Sequence, residues 1–199
     1  MTEQDPKNSS ETAVAAPNER ASWKQMSVML LVALLILILD QATKFIIEAN
    51  VTYNTSWMPL EWLAPFFQIT HIGNTGIAFG LFAGGSMIFA LVAMVVTAVL
   101  LFYNYTLPAG HIGVRVVLGI ILGGALGNLL DRLRLGYVTD FLDFGPWPVF
   151  NVADMAVVFG SIALVWLMWQ EEKKFKAAAD AEVQQTAPRG EQRDEQPAS

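Results

Sequence analysis

Residues 113–132 read GVRVVLGIILGGALGNLLDR. From Gly113 to Leu130 only Arg115 and Asn128 interrupt an apolar run. Such a run approaches the ~20 residues that cross ~30 Å of hydrocarbon at ~1.5 Å per residue. It closes on Asn128, Asp131 and Arg132, which spacings of three and four put on one helix face. Three more apolar runs lie around it, at about 27–47, 86–103 and 152–169. The expected fold class is therefore an all-α integral membrane protein with four transmembrane helices.

Composition agrees. Of 199 residues, 54% are hydrophobic and only 15% are charged. Charge collects at the ends: residues 1–25 hold four acids and three bases, and residues 170–199 hold seven acids and five bases. The net charge of −6 is thus partly a property of the tails, and nothing points to nucleic-acid binding. With no cysteine, disulfides, thiol nucleophiles and thiolate metal sites are excluded. His71 and His111 lack ligand spacing, so no metal and no cofactor are expected.

The chain divides into a polar tail (1–22), a membrane domain (23–170) and a second polar tail (171–199). Both tails read as disordered. The acidic start and the late first apolar run do not fit a signal peptide. The excess of Lys and Arg near span ends predicts both termini in the cytoplasm. Arg20, Lys24, Arg115, Lys173, Lys174 and Lys176 fall on that side, against Lys44, Arg132 and Arg134 outside.

Two outside segments join the spans. The first, about 38 residues long, carries Trp57, Trp62, Phe66 and Phe67 with Pro59 and Pro65, a composition suited to the headgroup level. Phe67–Thr70 alternates as a strand, and Asn74-Thr75-Gly76 signals a turn. The second segment holds the extended run Val138-Thr139-Asp140-Phe141, then Gly145-Pro146-Trp147-Pro148. A small β-element on the outer surface is expected.

Ionisable groups in a span cost ~2.5–3.5 kcal/mol at the bilayer centre on insertion scales. Asp40 and Lys44 share a face at i and i+4. They form either a local ion pair at the helix end or part of a site. Asp131 with Arg132, taken alone, reads as a span terminus, and Asp154 as an acid favouring the positive end of a helix dipole. Asp140 and Asp143 read singly as solvated loop residues. The glycines at 123, 124 and 127 allow close helix packing.

The pair Asp140 and Asp154 changes this, because both belong to outside segments at one membrane level. Two neighbouring carboxylates cannot both ionise easily, so one keeps a proton. The ionised partner can activate water while the protonated one polarises a carbonyl. Such hydrolysis requires neither metal nor thiol. No nucleophile elbow and no phosphate loop is present.

Five motifs in order then carry a resemblance. They are Asp40-Gln41-x-x-Lys44, Asn74-Thr75-Gly76-x-Ala78-Phe79, Gly123-Gly124-x-x-Gly127-Asn128-x-x-Asp131-Arg132, Val138-x-Asp140-Phe141 and Phe150-Asn151-x-Ala153-Asp154. The chain resembles the lipoprotein signal peptidase (signal peptidase II) family. The resemblance implies an aspartic endopeptidase of the bacterial inner membrane with Asp140 and Asp154 as catalytic dyad. It gives supporting or substrate-binding roles to Asp40, Lys44, Asn74, Gly76, Asn128, Asp131, Arg132 and Asn151. It further implies a periplasmic β-element, lipidated prolipoprotein substrates cleaved before the lipidated cysteine, contact with membrane lipid, and inhibition by globomycin. The tails are longer than the family core requires, and His71-Ile72-Gly73 stands where relatives more often carry a bulkier, more polar run. A small transporter or proton conductor, a non-catalytic assembly factor and a prepilin-type peptidase remain as other readings. Acids crowding one level oppose the first.

Overall fold

The computed structural model describes residues 21–76 and 85–186. Four long helices dominate: α1 (Trp23–Asn50), α2 (Gly85–Thr106), α3 (Ile112–Leu135) and α4 (Val152–Thr186). All four are long and apolar enough to cross a membrane. Helix α1 begins at Ser22, whose Oγ accepts from the Gln25 N–H. Helix α3 ends at Gly136, whose φ of 80° is one that a side chain resists. That residue turns the chain out of the span and into the strand carrying Asp140.

Helix α3 is the axis of the fold. Two-thirds of its apolar window (67%) is buried, against 17%, 11% and 17% for α1, α2 and α4. Its small residues explain why. A Cβ on Gly119 would lie 2.6 Å from the Met29 carbonyl oxygen, and one on Gly123 would lie 2.6 Å from that of Ala33. A Cβ on Gly124 would lie 2.5 Å from the carbonyl oxygen of Ala153. Gly119, Gly123 and Gly127, four apart, thus form a flat face against α1, while Gly124 admits α4. In a lipid-facing protein such close backbone approach drives helix association, because lipid tails are as apolar as leucine. Around this axis Met29, Ala33, Leu100, Val117, Leu118 and Leu122 form the buried core. Leu31, Leu35, Ile162 and Val165 stay exposed on the outer faces, as a hydrocarbon solvent permits.

A three-stranded antiparallel sheet caps one end, in the order β1 (Ser56–Trp57), β2 (Gln68–Asn74), β3 (Val138–Asp143). Because β2 follows α1 and β3 follows α3, their pairing brings the C-terminal ends of both helices and the start of α4 together. An irregularity between Ile69 and Ile72 shifts the register. At that shift lies His71, which is buried, with Nδ1 2.7 Å from the Val51 carbonyl and its ring edge-on to Tyr53. It fastens β2 to the end of α1.

Several expectations change. The expected strand at 67–70 runs on to Asn74, because β3 offers a full partner edge. Asp143 is no loop residue: it ends β3, where its Oδ2 accepts from Thr70 Oγ1 at 2.7 Å and its Oδ1 from the Gly145 N–H at 2.9 Å. The fourth helix continues sixteen residues past the expected domain boundary at 170, to Thr186. Alanines and an i,i+4 pair, Glu172 with Lys176 at 2.6 Å, favour helix there. Residues 1–20 and 187–199 of the expected tails, and Ala78 and Phe79 of the second motif, lie outside the described residues.

The glycine face can be tested with one chemical change at two places. Gly123→Ala lowers stability by about 1–3 kcal/mol through overpacking. Gly113→Ala, whose Cβ meets nothing nearer than Leu167 Cδ1 at 3.9 Å, is neutral or stabilising because alanine is the better helix former. Thermal unfolding in detergent micelles reads both; equal effects would show that close packing does not hold α1 to α3.

Candidate active site

Lys44 is the lowest layer of the site. Its Nζ lies 2.9 Å from Asp40 Oδ2 and 2.8 Å from Asp131 Oδ2, with Lys44, Asp40 and Asp131 exposed by 2%, 0% and 2%. The local i,i+4 pair therefore forms, but it is buried and shared with Asp131 of α3, so Asp131 does more than terminate a span. The two helices close around one cation because the glycine face lets them approach, with Gly127 directly against the Asp40 carboxylate. Gln41 Nε2 adds hydrogen bonds to Asp131 Oδ1 at 2.9 Å and Asp40 Oδ2 at 3.2 Å.

From this layer the bonds spread to the other elements. Asp40 Oδ1 accepts from the Ala153 N–H at 3.0 Å, one of the free donors at the start of α4. Asp131 Oδ2 accepts from the Thr139 N–H at 3.2 Å, next to Asp140 in β3. Lys44 Nζ donates to Asn128 Oδ1 at 3.0 Å. A lysine can only donate, so the amide of Asn128 must present its oxygen to Lys44. Its nitrogen then points the other way, donating to Asp154 Oδ1 at 2.7 Å.

Asn151 joins the two candidate aspartates. Its Oδ1 accepts from the Asp154 N–H at 3.0 Å, and Asp154 Oδ2 accepts from the Asn151 N–H at 3.2 Å. This reciprocal arrangement is a capping box at the start of α4. Asn151 Nδ2 meanwhile donates to Asp140 Oδ1 at 2.6 Å and to Asn128 Oδ1 at 3.1 Å. Asp140 Oδ2 accepts from Asn74 Nδ2 at 2.8 Å. Asp154 is thus a first-turn acid, as the sequence allowed, and also a neighbour of Asp140 across one asparagine.

The environments of the two aspartates differ. Asp154 accepts two N–H bonds at the start of α4, from Asn128 Nδ2 and from the Asn151 backbone. Asp140 is 1% exposed. Burial chiefly, and the charge of Asp154 after it, push its carboxyl from the ordinary 3.8 up to about 6, against the opposing bonds from Asn74 and Asn151 and the charge of Lys44.

Of the ten residues expected to form a site, eight join this network: Asp40, Lys44, Asn74, Asn128, Asp131, Asp140, Asn151 and Asp154. Arg132 and Gly76 stand beside it, sharing Phe89. The Arg132 guanidinium lies 5.5 Å from the Phe89 ring centre and donates to the Asn128 carbonyl at 3.2 Å. Gly76, at φ 76°, turns the chain tightly against the same ring, and its N–H donates to Asn74 Oδ1 at 2.8 Å. Neither histidine is bonded to the aspartates. Sequence reasoning gave no role to Gln41, Thr139 or Glu48. Thr139 Oγ1 donates to Glu48 Oε1 at 2.6 Å and its carbonyl accepts from Asn151 Nδ2 at 3.4 Å. Gln41 was within reach, as a polar residue inside a span beside Asp40; Thr139 gave no signal, because threonine is ordinary in a strand.

Two outcomes follow from this geometry. Below about pH 4 the folded and unfolded chains both hold the Asp140 proton; between about pH 4 and 6 only the folded chain does; above that, folding must bury the charge. This carboxyl's stabilising contribution is therefore fully present below 3.8 and lost as pH rises through about 6. Wild type, measured against Asp140→Asn by thermal unfolding in micelles, loses on the order of 2–3 kcal/mol across that window and then levels off. A difference independent of pH would mean that Asp140 ionises normally. Second, Lys44→Met leaves two buried carboxylates facing one another and costs about 3–5 kcal/mol. Lys44→Met with Asp40→Asn and Asp131→Asn recovers most of that loss in the same measurement.

Comparison with known proteins agrees with this architecture. Residues 32–170 match the family described as signal peptidase (SPase) II. A lipoprotein signal peptidase of Moorella thermoacetica is 48% identical over 137 residues, covering 69% of this chain and 89% of the relative. One from Halothermothrix orenii is 41% identical over 143 residues, covering 72% and 96%. A solved bacterial membrane enzyme superposes with a TM-score of 0.67 at 25% identity, covering 78% of this chain and 94% of that one. A second gives 0.66 at 26% identity, covering 76% and 96%. Membrane helices, buried polar network and matched residues converge: the chain belongs to the signal peptidase II family, and is a multi-pass membrane peptidase.

Proposed function

We propose that this peptidase removes the signal peptide from diacylglyceryl-modified prolipoproteins, cutting before the lipidated cysteine with Asp140 and Asp154 as its catalytic pair. The observation that carries the pairing is Asn151, whose side chain donates to Asp140 while its N–H donates to Asp154. Asp154 is the ionised member. It takes a proton from water as the water oxygen bonds to the scissile carbonyl carbon. Asp140 is the protonated member and gives its proton to the carbonyl oxygen. The carbon–nitrogen bond then breaks as the nitrogen takes the proton now on Asp154, and Asp140 regains a proton from the collapsing hydroxyl. The products are a carboxylic acid, which then ionises to solvent, and the amine of the lipidated cysteine, and both aspartates end as they began.

The remaining residues hold this arrangement. Asn74 and Asn151 fix the Asp140 carboxyl from two sides, and Asn128, turned by Lys44, fixes Asp154. Arg132 and Gly76 border the site at Phe89 and are assigned to substrate backbone. Lys and Arg cluster toward the end that bears the termini, which supports cytoplasmic termini and a catalytic pair at the outer face. Exposed Trp57, Trp62 and Phe66 support a headgroup-level segment over that face. Globomycin, which inhibits the family, is expected to inhibit this enzyme.

The test is cleavage of a purified diacylglyceryl prolipopeptide in the presence of EDTA. Wild type cuts before the modified cysteine, while Asp140→Asn and Asp154→Asn lose about 10²–10⁴-fold in kcat. Asp143→Asn retains activity, since Asp143 is bound to Thr70 and Gly145 instead. Undiminished turnover in either dyad variant would remove the catalytic assignment.

A further inference from the structure

Beside the aspartates an apolar groove runs down the outer surface of α4. It encloses about 370 Å³. Trp147, Pro148 and Phe150 roof it; Met155, Val158 and Phe159 form its floor; Asp154 lines its one polar end. Asp154 and Val158, and likewise Met155 and Phe159, are four apart, so the floor follows the helix axis away from the carboxylate for more than one turn. Phe150 is pinned, bonded through its backbone to Leu142 at 2.8 and 3.1 Å and stacked on Phe144 at 5.7 Å. The floor residues are open to the surrounding hydrocarbon, at 39%, 54% and 62% exposure.

We infer that this groove is the site for one acyl chain of the substrate's diacylglyceryl group. Its lining decides the class of occupant. A peptide brings an N–H and a C=O at every residue, each costly when left unpaired in an apolar setting. Apart from the Asp154 carboxylate and the single indole N–H of Trp147, the lining side chains are apolar, whereas an alkyl chain brings nothing that needs a partner. Continuity with the catalytic pair decides the source. The inference rests on the reaction proposed above: the first residue after the scissile bond carries the lipid on its sulfur, so the lipid is tethered within one residue of Asp154. One chain descends along Met155, Val158 and Phe159 into the bilayer, leaving the second in lipid. The groove thereby reads the length of the chain as well as its presence.

The experiment compares matched prolipopeptides bearing short and long diacyl groups, using the full chain in micelles. Wild type shows a higher kcat/KM on the long-chain substrate. Val158→Trp, which fills the groove, loses roughly tenfold on long chains and little on short ones, so the preference flattens. Val165→Trp, on an exposed outward position of the same helix (68%), leaves the preference intact. Should Val158→Trp fold poorly, Phe159→Ala widens the floor instead and shifts the preference toward longer chains. An equal loss on all chain lengths in Val158→Trp, or none, overturns the acyl-chain assignment while wild-type cleavage still upholds the peptidase. A wild type inert on every substrate overturns the reaction itself, and the groove's role with it.

Discussion

One buried cation holds the polar end of the bundle together. Lys44 sits between Asp40 and Asp131 with almost no exposure. Such a cluster is weak evidence for stability in itself, because desolvating three charges costs about as much as their attraction returns. Its value lies in what it requires. Two carboxylates and one ammonium leave lone pairs to satisfy, and the protein satisfies them with backbone groups of its other elements: the N–H of Ala153 from α4 and the N–H of Thr139 from β3. Shifting any one of these elements would strand a buried charge. The arrangement therefore specifies one relative placement of α1, α3, α4 and the sheet.

The same economy governs the aspartates. Asn151 would cap α4 in any protein, and Asp154 would suit its first turn in any protein. Here the cap also reaches Asp140, so a helix start and a strand become parts of one hydrogen-bonded unit. Asn128 has no freedom to rotate its amide, since a lysine faces one end and a carboxylate the other. Fixed dipoles of this kind distinguish two chemically identical side chains: Asp154 is surrounded by donors, and Asp140 is driven toward its protonated form by burial. Preorganisation before substrate arrives is what an electrostatic site needs, because nothing must reorient as charge develops.

None of this could close without the glycine face of α3. Side chains at 119, 123 and 127 would hold α1 away, and Asp40 would no longer reach Ala153. Small residues at depth and charges at the end are thus one design: the first permits the distance that the second exploits. Outside, the order is reversed, with large apolar side chains facing lipid and a groove on α4 opening from Asp154.

Much of this was legible in the chain itself. Four apolar runs were enough for four spans, because hydrocarbon thickness sets a length that composition alone meets. Asp40, Asn128 and Asp131 stood out because polar groups in or at the end of a span are costly and need a reason; Asp140 and Asp154 gained weight only as a pair, and Asn151 only through the family motif. The end of α4 was misjudged, since a charged alanine-rich segment shows no apolar period yet forms helix readily. Other features were beyond local reading. Asp40 and Ala153 are 113 residues apart, Asn74 and Asp140 are 66 apart, and Thr139 is commonplace in any strand. Hydropathy and periodicity report what each segment does alone. Which carboxylate shares a lysine, which amide is turned, and how deeply Asp140 is buried depend on groups brought together only when the helices have closed, so those were decided by the tertiary structure.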